Sequence, residues 1–398
     1  MAGNMTTYDP VLKDQLAPAV EDQVFNKTIL LKRLQRTGKY TDLRGRKFIV
    51  PLHTGRNEGV GARAETGTKP TARNQQFADA EYTPKYNWGS ISLTQVVITA
   101  TKGDDAAFVR AISSETRGMA KDLAADINRQ AYGDGTGLLE TCGTTTASTT
   151  VQLASTAQMK HLRVGMYVDV LVKASGATST GCVNSLISAI DKTNKTITIA
   201  ASVTTDNTFG VYRTGNYGLE TMGLAGMISD SGTIGTINSA SADNEYWRAY
   251  VNSNGGTNRS LTEILMQTCF DAPAENHGGD VSLMITSFGV RRAYMDLLTS
   301  MKRFTGEMVT KLEGGFSALL YNDKPLVTDR DAPNHIIWYI DEDHLEFAEM
   351  AKPSWKDDDG SVLKDDGNLG YYGVYYWFSN MVTNHRGRHA ALKDITEK

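Results

Sequence analysis

Apolar residues fall along this chain in three rhythms, and each predicts a different kind of element. Phe108, Ile112, Met119, Leu123, Ile127 and Ala131 recur at the spacing of one helix face. Asp104 and Asp105 stand just before them, where the helix dipole favours carboxylates. The pattern predicts a long amphipathic helix from Asp104 to Tyr132, roughly 40 Å at 1.5 Å per residue. Gly133 is placed to end it in the left-handed conformation, and Asp134-Gly135-Thr136-Gly137 is turn chemistry. Weaker helical patterns cover Glu21 to Leu34, Leu261 to Phe270 and Val290 to Ser300. Short apolar or alternating runs predict strands in KFIVPLH, YNWGSISLTQVVITA, VSLMITS, KPLVTDR, HIIWYI and the aromatic YYGVYYWFSNMVTNH. A tight turn, Arg386-Gly387-Arg388, and a closing run, HAALKDI, follow.

The third rhythm occupies Leu138 to about Gly218. Short β-like runs (TTVQLAST, MYVDVLVKA, VNSLISAI, TITIAAS) alternate there with Gly, Ser, Asn and Thr, almost without helix signals. Asp191-Lys192-Thr193-Asn194-Lys195 fits a hairpin turn between two of them. A shift of this kind marks an inserted domain, expected to be a small antiparallel barrel or sandwich.

One polar excursion interrupts the strands: TGRNEGVGARAETGTKPTARNQQ, Thr54 to Gln76. Gly59-Val60-Gly61-Ala62-Arg63-Ala64 matches the G-x-G-x-x-A dinucleotide fingerprint, but that fingerprint must open a helix, and Gly67 and Pro70 follow without helical periodicity. A loop this long is uncommon in a compact chain unless it has a partner.

Composition narrows the function classes. With 398 residues, a formal net charge of -4 and 40% hydrophobic residues, the chain is globular, long enough for two or three domains, and not a nucleic-acid binder by bulk charge. MAGNMTTYDP is no secretory leader and no run approaches a membrane span, so a soluble intracellular product with no membrane partner is expected. Cys142, Cys182 and Cys269 are widely spaced and are expected to be reduced thiols. Charge is unevenly placed: Lys27, Lys32, Arg33, Arg36, Lys39, Arg44, Arg46 and Lys47 cluster around the single acid Asp42. Such an arm is either a solvated helix face or a contact for nucleic acid or an acidic partner.

Signatures of catalysis are missing. There is no G-x-S-x-G elbow, H-E-x-x-H pair or P-loop. His344 among Asp341, Asp343 and Glu346 reads as a solvated charged turn, and the Asp357-Asp358-Asp359 loop fails the EF-hand spacing. Tyr371 to Phe378 can offer rings for base stacking, although strand alternation assigns half of them to a core. No catalytic, cofactor-binding or metal-binding residue is therefore assigned.

The order of parts is more telling than any motif. A basic arm, a long two-stranded excursion, a long helix running into Gly133-Asp134-Gly135-Thr136-Gly137, a mixed α/β body with Gly218-Leu219 and Gly223-Leu224 beyond the insertion, and a final strand pair after an acidic loop follow one another. This order resembles the major capsid proteins of tailed phages, the Hong Kong 97 phage type, over everything but the insertion. The resemblance implies an α+β fold: N-terminal arm (1–45), extended β-hairpin loop (46–100), spine helix of a peripheral domain (101–138), inserted β-rich domain (139–218), axial domain (219–349) and C-terminal return to the peripheral domain (350–398). It departs from the pattern in its insertion and in having no long helical scaffold segment before the arm, which implies an uncleaved chain with any scaffolding supplied separately.

The resemblance implies a structural protein, not an enzyme, that self-assembles through pentamers and hexamers into an icosahedral bacteriophage head around double-stranded DNA. Portal, scaffolding and decoration proteins would be further partners, with assembly in the host cytoplasm and residence in the virion. It also implies that Arg56, Arg63, Lys69 and Arg73 of the extended loop meet a neighbour's acidic peripheral loop, Asp357, Asp358, Asp359, Asp365 and Asp366. Lys32, Arg33, Arg36, Lys39 and Arg44 would face the lumen. The alternatives are a nanocompartment shell of the same fold, a β-rich surface or carbohydrate-binding protein, and an enzyme.

Overall fold

The computed structural model describes residues 29–94, 105–300, 309–311, 317–357, 364–365 and 370–398. Its first element is α1 (Ile29–Arg36), which buries Leu30, Leu31 and Leu34 and exposes Lys32 and Gln35, as an i, i+3, i+4 stripe requires. The helix expected from Glu21 thus lies partly outside the described residues. Strand β1 (Tyr40–Asp42) follows, then an antiparallel pair, β2 (Phe48–Gly55) and β3 (Gln76–Tyr82), then β4 (Lys85–Thr94). The long helix is α2 (Asp105–Gln130), close to the expected span. Gly133 does not carry its left-handed stop; positive φ falls instead at Gly135 (80°) and Gly137 (81°), because the Gly133 amide still bonds the Gln130 carbonyl at 2.8 Å.

The insertion comprises β5 (Leu138–Thr141), β6 (Thr145–Gln152), β7 (Tyr167–Val172), β8 (Cys182–Asp191), β9 (Thr196–Thr205) and β10 (Phe209–Arg213). They form one antiparallel sheet in the order β5-β10-β7-β8-β9-β6. A bridge between Cys142 and Leu153, with the Gly143 amide on the Gln152 carbonyl at 2.7 Å, joins the first strand to the last and closes a barrel. Leu139, Val151, Val168, Val170, Ile187, Ile197 and Val211 fill it as a separate core. The expected β8–β9 turn is present, with the Asp191 carboxylate accepting from the amides of Thr193 (2.8 Å) and Asn194 (3.1 Å). The two ends of the insertion touch: the Gly218 amide donates to the Thr136 carbonyl at 2.8 Å, and a Cβ on Gly137 would stand 2.8 Å from the Asn216 carbonyl oxygen. Only glycine fits that crossing.

The body continues through a helical turn, α3 (Leu224–Met227), a ribbon of β11 (Thr233–Ile234) and β12 (Ile237–Asn238), β13 (Tyr250–Asn252), α4 (Glu263–His277), β14 (Leu283–Thr286) and α5 (Phe288–Ser300). Then come β15 (Val309–Lys311), β16 (Ser317–Tyr321), β17 (Lys324–Thr328), β18 (Ile337–Ile340), β19 (Leu345–Trp355), β20 (Lys364–Asp365), β21 (Gly370–Thr383) and β22 (Ala390–Leu392). Seven strands form one sheet in the order β13-β22-β18-β14-β17-β16-β15. Helices α4 and α5 cover one face, over Met284, Ile337 and Tyr339; Leu283, Ile285, Trp338 and Ile340 on the other face join the main core. Burial on both faces is why LMIT and IWYI are unbroken apolar runs. A second sheet runs β1-β19-β21, with β20 and β4 also paired to β21. Helix α2 packs beneath it, where a Cβ on Gly89 would meet the Met119 sulfur at 2.4 Å. Among the described residues no helix is long and apolar enough to cross a membrane.

The chain passes between the two sheets twice, side by side, through Asp341–His344 and through Asn384–His389. Here the structure corrects two expectations. The turn at Asp341 is not solvated: Asp341 and Glu342 are buried, since α1 and the β14 start close over them, and Glu342 accepts from Arg33 at 2.6 and 2.9 Å. The final run does not stay with the aromatic strand, because β22 crosses into the seven-stranded sheet beside β13 and β18.

Arg386 is fully buried at this crossing, donating to the carbonyls of Met227 (2.7 Å), Gly226 (3.0 Å), Ser231 (2.8 Å) and Gly232 (3.4 Å) and to Ser239 Oγ (3.0 Å). Burial lowers its guanidinium to about 10. Four of the chain's seven histidines meet alongside: the His385 ring lies 5.4 Å from His277 and 6.1 Å from His344, and His389 sits beneath with Nδ1 accepting the Asp341 amide at 3.3 Å.

Two predictions come from this architecture. Replacing residues 139–217 by a short Gly/Ser joint should leave a soluble, folded subunit, since the ends already touch and the barrel has its own core. The loss of two inter-module contacts, Arg213–Asp126 and Lys160–Ala332, should cost no more than about 3 kcal/mol. Recovery of the excised chain only as aggregate, with loop-matched controls soluble, would overturn this.

The second is an acid sensitivity. Burial lowers His385 to about 4 and His389 to about 3, and it lowers His277 as well. The unfolded chain takes up these protons from its ordinary value of 6.5 downward, so stability should fall as pH drops from 6.5 towards 3 and be constant in this respect above 6.5. Urea midpoints between pH 7 and 4 should show the slope, and His385→Gln should flatten it. An unchanged slope in that variant would refute the assignment.

Candidate assembly surfaces

The β2–β3 hairpin is two-faced. Phe48, Val50 and Leu52 of β2 stand opposite Tyr82, Ala80 and Ala78 of β3, and this face packs on the main core. The residues between them point the other way, leaving Ile49 53% and Phe77 72% exposed, with the His53 ring 5.3 Å from Phe77. Pro51 shares that outer face. Beyond the strands, residues 56–75 form no regular element and are exposed almost throughout.

The four expected tip cations are not equivalent. Arg56 pairs with Glu58 at 2.9 Å inside the tip, and that carboxylate raises its pKa. Arg63 donates to the carbonyls of Thr68 (3.1 Å) and Ala62 (2.9 Å), pinning the Ala64–Gly67 turn. Lys69 and Arg73 are exposed, with no acidic partner among the described residues. Of the acidic set, Asp357 is exposed and Asp365 pairs through β20 with Tyr371. Asp358, Asp359 and Asp366 lie outside the described residues.

The basic arm is partly committed to its own subunit. Besides the Arg33–Glu342 fork, Lys39 holds Asp343 at 2.9 Å and Lys47 holds Glu81. Lys32 and Arg44 remain exposed; Lys27 lies outside the described residues, and α1 carries Arg36 at its last position. Helix α1 is tied down at its start by Asp329, a fully buried carboxylate. Asp329 accepts from the Ile29 amide (3.3 Å), Tyr132 hydroxyl (2.9 Å), Asn128 Nδ2 (3.4 Å) and the Asp331 amide (2.9 Å). Burial, and then the Asp329 charge, push the Tyr132 hydroxyl well above its usual range, keeping it a donor.

Sequence reasoning missed the other face of the β4–β21 pair. Trp377 goes inward and donates to Glu349 at 2.7 Å. Its neighbours Tyr376 and Phe378 turn outward, opposite Trp88 and Tyr86. These four rings pack at centroid distances of 4.7 to 6.1 Å, yet Trp88 is 58% and Tyr86 54% exposed. The alternation in YYGVYYWFSN places half of these rings in a core; nothing local reveals that the other half is open.

Asp329→Ala should destabilise the subunit by about 3 kcal/mol, because it leaves buried donors from three elements unpaired. It should also expose the chain before Thr37 to protease in the free subunit. A urea midpoint and cleavage rate equal to those of the parent would rule out this anchoring role.

No family model matches the sequence, and no curated protein matches it. Solved structures do. The chain is similar to a subunit of the cyanophage A-1(L) capsid, with TM-score 0.64 and 13% identity over 99% of each chain. It is similar to a subunit of the capsid of the empty GTA particle, with TM-score 0.57 and 10% identity over 100% of each chain. It is also similar to the SrpI encapsulin from Synechococcus elongatus PCC 7942, with TM-score 0.52 and 7% identity over 100% of this chain and 96% of that one. The hairpin, the long spine helix and the two sheets joined by paired crossings are thus the fold of the Hong Kong 97 phage-type major capsid proteins, here carrying a β-barrel between the spine helix and the body.

Proposed function

We propose that this chain is the structural major capsid protein of a tailed bacteriophage. In this reading it is a non-enzymatic subunit whose copies close, as pentamers and hexamers, into an icosahedral head around double-stranded DNA. The observation that carries this reading is the end-to-end likeness to a cyanophage capsid subunit at TM-score 0.64. Physical features support it. A hairpin with an apolar outer face and an exposed aromatic sheet face are two surfaces a lone subunit leaves wet and a shell can bury. Many modest contacts then add up to a cooperative closed assembly. Lys32 and Arg44 are the arm cations still free to lower repulsion against packaged DNA, an effect blind to sequence and weakened by salt. Portal, scaffolding and decoration proteins are the partners such a head requires, and host cytoplasm and virion are its locations.

A nanocompartment shell is the second reading, favoured by the SrpI likeness at TM-score 0.52. Electron microscopy of purified particles, with nuclease-protected DNA or cargo protein measured in their contents, separates the two.

The proposal predicts that the hairpin tip holds a neighbour by charge as well as by strand contact. Exposed ion pairs are worth about 0 to 1 kcal/mol each, so a single reversal should do little. Reversing Arg63, Lys69 and Arg73 together to Glu should leave circular dichroism near parental but block assembly, or make shells fall apart at moderate salt. Deleting Gly55 to Gln75 should abolish assembly. Normal shells from the deletion variant, seen by sedimentation and microscopy, would remove the hairpin from the contact.

A further inference from the structure

A cleft of about 600 Å³ opens where the inserted barrel, the spine helix α2 and the loop after β17 meet. Its volume is that of a small-molecule pocket. Three separate stretches of chain build it, and its lining combines cations with an aromatic wall. Lys160 and Arg163 come from the barrel, Arg129 from α2, and Tyr167 and Val164 supply apolar surface, Tyr167 being 52% exposed.

The lining acids do not cancel these cations. Asp126 is spoken for by Arg129 at 3.1 Å and Arg213 at 3.4 Å, and Arg129 also holds Glu220 at 2.5 Å. Burial raises Asp331 towards its neutral form, while Asn128 donates to it at 2.8 Å. Asp122 stands exposed. By contrast, Arg163 is exposed and has no acidic partner among the described residues. Lys160 meets only a carbonyl, that of Ala332 at 2.6 Å. Burial lowers it to about 8, which still leaves it mostly cationic at neutral pH.

Two polar groups on the wall lack partners. The His161 side chain is 11% exposed, and among the described residues neither ring nitrogen has a hydrogen bond; Asp331 is nearest, at 3.9 Å from Nδ1. Thr214 Oγ1 is buried without any partner. Unsatisfied buried polar atoms on a cavity wall are what a bound polar molecule would satisfy.

We propose that this cleft binds a small ring compound carrying one phosphate, the chemistry shared by nucleoside and sugar monophosphates. Arg163 and Lys160 take the phosphate, where charge-assisted bonds are strong. Tyr167 takes the face of the ring, and His161 and Thr214 supply directional hydrogen bonds. Because the walls belong to the insertion and to the body, an occupant also fastens the barrel to the subunit. This site is independent of the shell reading and is tested on the unassembled chain.

Calorimetric titration of the full-length protein with adenosine monophosphate, glucose 6-phosphate and inorganic phosphate is the test. At least one of the two ring phosphates should saturate one site per chain and bind more tightly than inorganic phosphate; which of them wins assigns the ring. Arg163→Ala, an exposed substitution, should weaken every probe roughly tenfold. Tyr167→Ala should weaken the ring compounds and leave inorganic phosphate unchanged, and Arg44→Ala, a cation elsewhere on the surface, should change nothing. Absence of saturable binding by all three probes would overturn the proposal. So would full binding in both cleft variants, or inorganic phosphate binding as tightly as the ring compounds.

Discussion

A buried guanidinium that forms no ion pair among the described residues holds this subunit together. Arg386 sits where the chain crosses from one sheet to the other, and its donors are spent on backbone carbonyls of the Gly226–Gly232 loop and on the Ser239 hydroxyl. A charge so placed is tolerated only when every donor is satisfied, so the loop must keep the shape that satisfies them. That loop leads from the end of the spine helix to the β11–β12 ribbon, whose Gly235 carbonyl accepts the Glu81 amide of the hairpin at 2.9 Å. One side chain therefore relates the sheet crossing, the spine helix and the projecting hairpin.

The neighbouring crossing repeats this logic with carboxylates. Glu342 takes the Arg33 fork and Asp329 takes the start of α1, so the arm helix is fastened at two points to the junction of the sheets. Charges that look like a solvated basic arm in sequence are thereby divided. Arg33 and Lys39 build the subunit, and Lys32 and Arg44 are left for partners. The same division holds in the hairpin tip, where Arg56 is internally paired while Lys69 and Arg73 are not.

A body fixed at its crossings can project surfaces that are poorly satisfied alone. The hairpin's outer face and the rings over β4 and β21 are such surfaces, and their cost is accepted in a fold whose known examples stand side by side in shells. The barrel adds a further layer without disturbing this body, because its ends touch and its core is its own.

Local chemistry in the sequence determined a good deal. The spine helix is legible because helical spacing is written in consecutive residues, and the β8–β9 turn because an Asp side chain caps its own backbone. The insertion is legible because its composition changes at both ends, and the unbroken runs LMIT and IWYI announce a sheet buried on both faces. Pairing is not local. Nothing near Lys85–Thr94 says that this strand leaves the hairpin for β21, or that β22 crosses to the other sheet, since hydrogen-bond partners hundreds of residues apart are chosen by the whole packing. Nor does a lone Arg-Gly-Arg reveal that its first arginine is core and its second is not, or an aromatic alternation which of its faces stays open. Periodicity depends on a residue's neighbours in sequence and is readable there; burial depends on what arrives from elsewhere, and only the tertiary structure decided it.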